Sequence, residues 1–426
     1  MNELETIELL FDKLWPLDRS ITGDGVRKTH KILSKLIPLN TIEIPTGTKV
    51  LDWTIPKEWK VNEAKVFNPD GSVLLDFNEN NLRLVGYSKS FKGKLSKNKL
   101  IEHLHYRSDI PDAIPYVTSY YKENFGFCLT YNEFQSLKDG DYKVVLDTEL
   151  FDGSLTLSDC IIKGESDEEI MFSSYTCHPS MAINELSGPI CLSILYNRIR
   201  KIKNRKYTYR FILCPETIGS VAYLHLHGDY LKSHLKGGLI LDRLGNKESL
   251  VYHSSIDREE LVNRVCKYVL NNYELTDQNI SFRDFTIGES DDRQYNSIGY
   301  RLPVGSLFCE DYNEYHTSLD NKKLISFDHL VKAINILEKI VKIFETDCIY
   351  QNSIIKGEPF LSKYNLHNTL GGITDDYLKA LKYLVFYCDG SNSILDLAIK
   401  SGLNFDYLKD LAEEMCQKSV LKRIIK

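Results

Sequence analysis

What this 426-residue chain lacks removes several classes of function at once. Its 10 cysteines (128, 160, 177, 191, 214, 266, 309, 348, 388 and 416) contain no CxxC pair and no metal-type spacing, so neither a cysteine zinc cluster nor a disulfide framework is expected. In a reducing compartment such residues act as small buried hydrophobes. No segment approaches the roughly 18 to 20 uninterrupted apolar residues that a membrane span needs, and no membrane partner is expected. The N-terminal MNELETIELLFDKLW lacks a basic stretch followed by an apolar one, so no cleaved signal peptide is expected and a cytoplasmic location follows as the default. Positive charge is not in excess either. The 53 Lys and Arg against 59 Asp and Glu, net −6, argue against nucleic acid as a partner.

What is present is an ordinary globular composition, 42% hydrophobic and 26% charged, in a chain long enough for two or three packing units. Residues 1–44 and 141–350 are read as one α/β domain. It opens with two helices around the turn Thr22-Gly23-Asp24-Gly25. Later the strands YKVVLD, LSDCIIKG, EEIMFSSYT, YTYRFILC and GGLILD alternate with helices, which implies a largely parallel sheet. Residues 45–140 change to short β segments and turns, with Asn68-Pro69-Asp70-Gly71 as a hairpin signal, and are read as an inserted mostly-β subdomain. Residues 351–426 carry three helical runs, with Thr374, Ser391 or Ser393, and Asn404 as N-caps and a short apolar tail, which fits a winged-helix-like domain. From 352 onward that block has 10 basic and 9 acidic residues, so a protein contact or self-association suits it better than DNA.

Four residues stand where apolar strands stop: His178 after MFSSYT, Glu216 after YRFILC, Asp242 after GGLIL, and His316 after the run that begins SLFCED. Open α/β sheets keep their chemistry just outside the carboxyl ends of their strands, and two imidazoles with two carboxylates there suit a hydrolytic zinc site. Glu185, seven residues after His178, is a further candidate ligand. An acid at the position of Glu216 can hold a metal or act as general base. His225 and His227 alternate on a predicted helix, where ligands on one face need a spacing of three or four, and are read as structural.

His178, Glu185-Leu186-Ser187-Gly188, Glu216 ahead of Gly219-Ser220, Asp242 with Gly245, and Tyr315-His316-Thr317-Ser318-Leu319-Asp320 resemble the ordered ligand set of the co-catalytic zinc aminopeptidases. More closely, Arg19-Ser20-Ile21-Thr22-Gly23, the stretch from Asp112 to Tyr121, Gly126-Phe127-Cys128 and Cys177-His178-Pro179-Ser180 resemble bacterial aminopeptidase-like proteins associated with polysaccharide biosynthesis. The resemblance spans nearly the whole chain. It implies a phosphorylase/hydrolase-like α/β/α sandwich with an inserted β domain and a C-terminal winged helix, and one or two zinc ions. His178 and Asp242 would serve one ion, Glu216 and His316 the other. The resemblance also puts the family's metal-bridging aspartate on Asn184, and reduces its pair of consecutive acids to Pro215-Glu216-Thr217. An amide carries no charge and bridges two cations poorly. Gly288-Glu289-Ser290-Asp291-Asp292-Arg293 resembles the substrate-side loop, so Asn184, Asp291 and Asp292 are assigned to substrate contacts, with an acid receiving a free amine.

The expected activity is zinc-dependent hydrolysis of an amide at a peptide-like N-terminus or in a related small molecule, with Glu216 moving the proton. The rival reading is a non-catalytic peptidase-fold scaffold in cell-surface polysaccharide biosynthesis.

Overall fold

A computed structural model of the protein describes residues 2–120, 122–287, 290–366 and 375–424. The chain divides into two compact units, Met1–Arg264 with Leu275–Glu338, and Val265–Glu274 with Lys339–Lys426.

The first unit is built on an eight-stranded sheet. Its strands, in chain order, are β1 (Asn40–Pro45), β2 (Ser154–Ile162), β3 (Glu169–Tyr175), β4 (Thr208–Cys214), β5 (Leu235–Leu241), β6 (Ser249–His253), β7 (Asn279–Arg283) and β8 (Val304–Phe308). They lie in the order β1-β2-β4-β3-β5-β8-β6-β7. The central four, β4, β3, β5 and β8, are mutually parallel. All of β3, β4 and β8 is buried, as continuous apolar runs covered on both faces should be. Antiparallel pairings of β1 with β2, β2 with β4, and β6 with β8 make the sheet mixed rather than largely parallel.

Tight packing fixes the helix that follows β3. A Cβ on Gly188, at the start of helix Ser187–Ile199, would lie 2.2 Å from the Leu241 carbonyl oxygen and from Ser174 Oγ, so only glycine lets the helix approach β5 and β3 this closely. The π-helical turn Ala182–Leu186, which carries Asn184 and Glu185, leads directly into that helix.

The β segment between β1 and β2 forms a four-stranded antiparallel sheet from Glu58–Phe67, Val73–Asp76, Phe91–Ser96 and Asp141–Phe151. The Asn68-to-Ser72 turn closes its first hairpin, with Gly71 at φ 88° and Asp70 Oδ1 accepting from Ser72 N. Strand Asp141–Phe151 corrects the boundary expected at residue 140. YKVVLD reads as an α/β strand, yet it pairs along its length with both Glu58–Phe67 and Phe91–Ser96 and so completes the inserted sheet. Apolar periodicity cannot say which sheet a strand joins. One apolar core runs from this sheet (Val66, Val144, Leu146) into the main one (Met171, Ile212, Val304).

The second unit has the three-stranded sheet Ile349–Asn352, Asp389–Ser393 and Leu421–Ile424 with helices Asp375–Tyr387, Ile394–Ser401 and Phe405–Gln417. Ser393 closes a capping box with Asp396, and Asn404 caps Phe405–Gln417 by accepting from Tyr407 N. The expected cap Thr374 lies outside the described residues, as do Tyr121, Gly288 and Glu289. Among the described residues no helix is long and apolar enough to cross a membrane.

Candidate metal and active site

The carboxyl ends of the four parallel strands carry the four residues singled out above. Strand β3 ends at Tyr175 and β4 at Cys214, so His178 and Glu216 follow within three residues, and Asp242 comes directly after β5. His316 is different: β8 stops at Phe308 and a loop intervenes. The segment beginning at Asp112 anchors that loop. Pro115 bridges to Thr317, Tyr116 N donates to the His316 carbonyl (2.8 Å), and Ser318 N donates to the Ile114 carbonyl (2.9 Å). His178 and His316 then face each other with ring centroids 5.3 Å apart, and Tyr116 packs against both.

Three of the four, but not Asp242, open onto a cleft of about 620 Å³. One wall holds His178, Glu216 and His316, and the inserted segment contributes Asp52 and Trp53. Glu216, about a quarter exposed, sets its Oε2 at 3.8 Å from His178 Nε2.

The other ring nitrogen of His178 is already committed. Its Nδ1 lies 3.2 Å from Glu185 Oε2 and 3.3 Å from Cys177 Sγ, and its backbone N–H donates to the same carboxylate oxygen. Burial alone would lower the imidazole pKa, but the hydrogen bond and charge of Glu185, followed by the charge of Glu216, raise it. Glu185 in turn faces Arg19, with Nε at 3.3 Å from Oε1 and both side chains fully buried. The same guanidinium donates to the carbonyls of His178 (2.8 Å) and Leu14 (2.7 Å). Cys177, His178 and Glu185 thus cluster closely enough to suggest a cation, their ligand atoms lying within 4.8 Å of one another. Arg19 argues against one there: it supplies the positive charge that Glu185 needs, and burial holds the Cys177 thiol well above its ordinary pKa. A carboxylate on the far nitrogen of a histidine is the arrangement that fixes a metal-ligating imidazole.

On the opposite side two buried atoms lack a hydrogen-bond partner among the described residues. Asp242 is 2% exposed, and its Oδ1 has no hydrogen-bond partner among the described residues. Arg243 Nε stands 3.7 Å away, within ion-pair range but beyond a hydrogen bond. Burial, assisted by the charge of Glu216 and opposed by Arg243, pushes the Asp242 carboxyl up to about 6. His316 Nε2 is also buried without a partner, and burial together with the nearby His178 and Arg243 brings its pKa down to about 3, leaving a neutral imidazole. Asp242 Oδ1 and His316 Nε2, with the His178 Nε2 and Glu216 Oε2 atoms, are oxygen and nitrogen ligands of the kinds zinc takes, although among the described residues no three of them lie within 4.8 Å of one another. The donor chemistry, rather than a closed cluster, fits a cation on this side.

The remaining candidates turn inward. Asn184, 1% exposed, accepts from the Tyr175 hydroxyl at both its backbone oxygen (2.7 Å) and Oδ1 (3.0 Å). Its backbone N–H and that of Ile183 donate to Asp320, which also accepts from Tyr312. Asp292 lies 2.7 Å from His253 Nδ1 and accepts from Ser290 N. Asp291 Oδ1 accepts from Thr217 N (2.6 Å) and lies 2.8 Å from Ser220 Oγ, while its Oδ2 is buried without a partner. Burial and the charge of Glu216 push the Asp291 carboxyl up to about 7. Sequence reasoning missed the roles of Arg19, Asp320 and Tyr116. Each acts on a partner far away in the chain, which its own neighbours in the sequence do not announce.

Comparison with known proteins gives the setting. A family model described as a domain of unknown function, DUF4910, matches residues 8–347, and a winged helix-turn-helix model matches residues 348–423. The chain belongs to the DUF4910 family. A curated Clostridium acetobutylicum protein, described as a candidate polysaccharide biosynthesis protein with an aminopeptidase-like domain, is 40% identical over 425 residues, covering 97% of this chain and 95% of that protein. A crystal structure of a candidate peptidase from Clostridium acetobutylicum superposes with a TM-score of 0.92 at 38% identity over 99% of this chain and 98% of that one. The zinc aminopeptidase of Bacillus subtilis has a TM-score of 0.60 at 10% identity, over 80% of this chain and 94% of its own. At that identity the likeness is one of fold alone. This DUF4910 chain therefore has an aminopeptidase-like α/β domain followed by a winged helix.

Proposed function

We propose that the protein is a zinc-dependent hydrolase of amide bonds, an aminopeptidase or a related amidohydrolase acting on a small peptide-like molecule. The observation that carries this reading is the pair of buried, unpartnered donors, Asp242 Oδ1 and His316 Nε2, at the rim where His178 Nε2 and Glu216 Oε2 also meet. An unpaired buried polar atom costs roughly 1–3 kcal/mol, and a bound cation removes that cost.

His178, Asp242 and His316 hold the metal. When bound, it supplies Lewis acidity toward the scissile carbonyl and lowers the pKa of water. Glu216, partly open to the cleft, takes the proton from the attacking water and returns it to the leaving amine. Glu185 holds the His178 ring so that Nε2 faces the cleft, and Arg19 keeps that carboxylate in place. With Asn184 spent on Tyr175 and Glu185 on Arg19, the ligand set favours a single ion. The near-balanced charge of the winged helix favours a protein contact or self-association over DNA.

The test is purified protein assayed for bound metal by plasma mass spectrometry and for turnover of aminoacyl anilides with added zinc or cobalt. The expected result is metal retention with turnover that His178→Ala and Glu216→Gln remove. Neither metal nor turnover would refute the proposal.

A further inference from the structure

The rim holds four of the ten described non-glycine residues with positive φ. Ser180, Thr217, Arg243 and His316 all have positive φ without being glycine. Thr217, at φ 65° and ψ −72°, lies outside even the left-handed helical region, and it is β-branched. Ile218 N donates to the Glu216 carbonyl at 2.8 Å, which makes Glu216, Thr217 and Ile218 a tight three-residue turn of the rare positive-φ form. A free chain would populate such a turn on the order of tenfold to a hundredfold less than ordinary backbone. Glu216 is its first residue, so relaxation of the turn would swing that carboxylate.

Two side chains at the start of the distant short helix Asp292–Tyr295 oppose the relaxation. The Asp291 carboxylate, 1% exposed, receives the Thr217 N–H at 2.6 Å and stands 2.8 Å from the hydroxyl of Ser220, in the first turn of helix Ile218–His234. Arg293 Nη2 donates to Thr217 Oγ1 at 2.8 Å. Both bonds fall on the strained residue itself.

We infer that Asp291 and Arg293 are positioning residues that hold the turn at Thr217 and so keep Glu216 aimed at His178, rather than contacts for the substrate. The catalytic half of this inference rests on Glu216 as the proposed base; the coupling of Asp291 to the turn does not.

Glycine adopts positive φ freely, so Thr217→Gly removes the need for the restraint and supplies the test. The variants Asp291→Ala, Asp291→Asn, Thr217→Gly and the double variant Thr217→Gly/Asp291→Ala are compared in anilide turnover and in urea unfolding. Asp291→Ala is expected to lower kcat about tenfold or more with KM nearly unchanged. Asp291→Asn, whose oxygen still accepts from Thr217, should stay within a few-fold of wild type, and the double variant should recover most of the kcat lost. The urea midpoints should be non-additive, Asp291→Ala costing less in the glycine background. Additive midpoints, Asp291→Asn as damaging as Asp291→Ala, or a loss expressed mainly in KM would overturn the inference. If wild type turns nothing over, Glu216 as base fails, while the midpoint cycle still decides whether Asp291 supports the turn.

Discussion

The two flanks of His178 differ in how their charges are matched. On the Nδ1 side, Glu185 and Arg19 form a fully buried ion pair with further hydrogen bonds to backbone. On the Nε2 side, the Asp242 Oδ1 and His316 Nε2 atoms are buried with no hydrogen-bond partner among the described residues. Glu185 Oε1 and Arg19 Nη2 also lack a hydrogen-bond partner among the described residues, so the flanks differ in ion-pair distance, 3.3 Å for Arg19 with Glu185 against 3.7 Å for Arg243 with Asp242, and in that His316 Nε2 has no ion-pair partner to offset its burial. His30 and His316 repeat the contrast. His30 has both ring nitrogens within hydrogen-bond distance of hydroxyls, Ser158 Oγ at 2.8 Å and Thr176 Oγ1 at 2.9 Å, whereas the Nε2 of His316 has no such partner.

The largest expected effect tests the open side: Glu216→Gln should lower turnover roughly 10²- to 10⁴-fold while bound metal remains, as measured by anilide assay and plasma mass spectrometry. Next, Arg19→Met breaks the matched side and should cost about 3–5 kcal/mol of stability in urea unfolding, because it strands a buried carboxylate. Asp242→Asn should do the reverse. The Asp242 carboxyl is raised to about 6, so its favourable contribution to the metal-free fold is complete below its unfolded value of about 4 and is lost as pH rises through about 6. At pH 7.5 the metal-free Asn variant should therefore be more stable than wild type by on the order of 1–3 kcal/mol, and added zinc should invert that order. The smallest effect concerns His30, whose pKa burial brings down to about 3. Its contribution is present above the unfolded value of about 6.5 and is lost as pH falls toward 3, so wild type should lose on the order of 2 kcal/mol more than His30→Gln between pH 6.5 and 5. Thermal or urea unfolding across that range reads the difference.

Much of the fold was legible because buried parallel strands leave continuous apolar runs. The ends of β3, β4 and β5 could be read within three residues, and with them His178, Glu216 and Asp242. The loop before His316 was less legible, since its position depends on pairing with Pro115 and Tyr116 from a distant segment. Strand Asp141–Phe151 was assigned to the wrong sheet for the same reason: its pattern announces a strand but not a partner. The strain at Thr217 left no trace in the sequence, because threonine is not a residue that advertises positive φ.

The central claim is that the carboxyl rim of the parallel strands clasps a cation on the Nε2 side of His178. Zinc content per chain after equilibration and dialysis, compared among wild type, His316→Ala and Arg19→Lys, tests it most directly. The account predicts zinc retained by wild type and by Arg19→Lys and lost from His316→Ala. A wild-type protein that keeps no metal, or a His316→Ala protein that keeps as much as wild type, would contradict it.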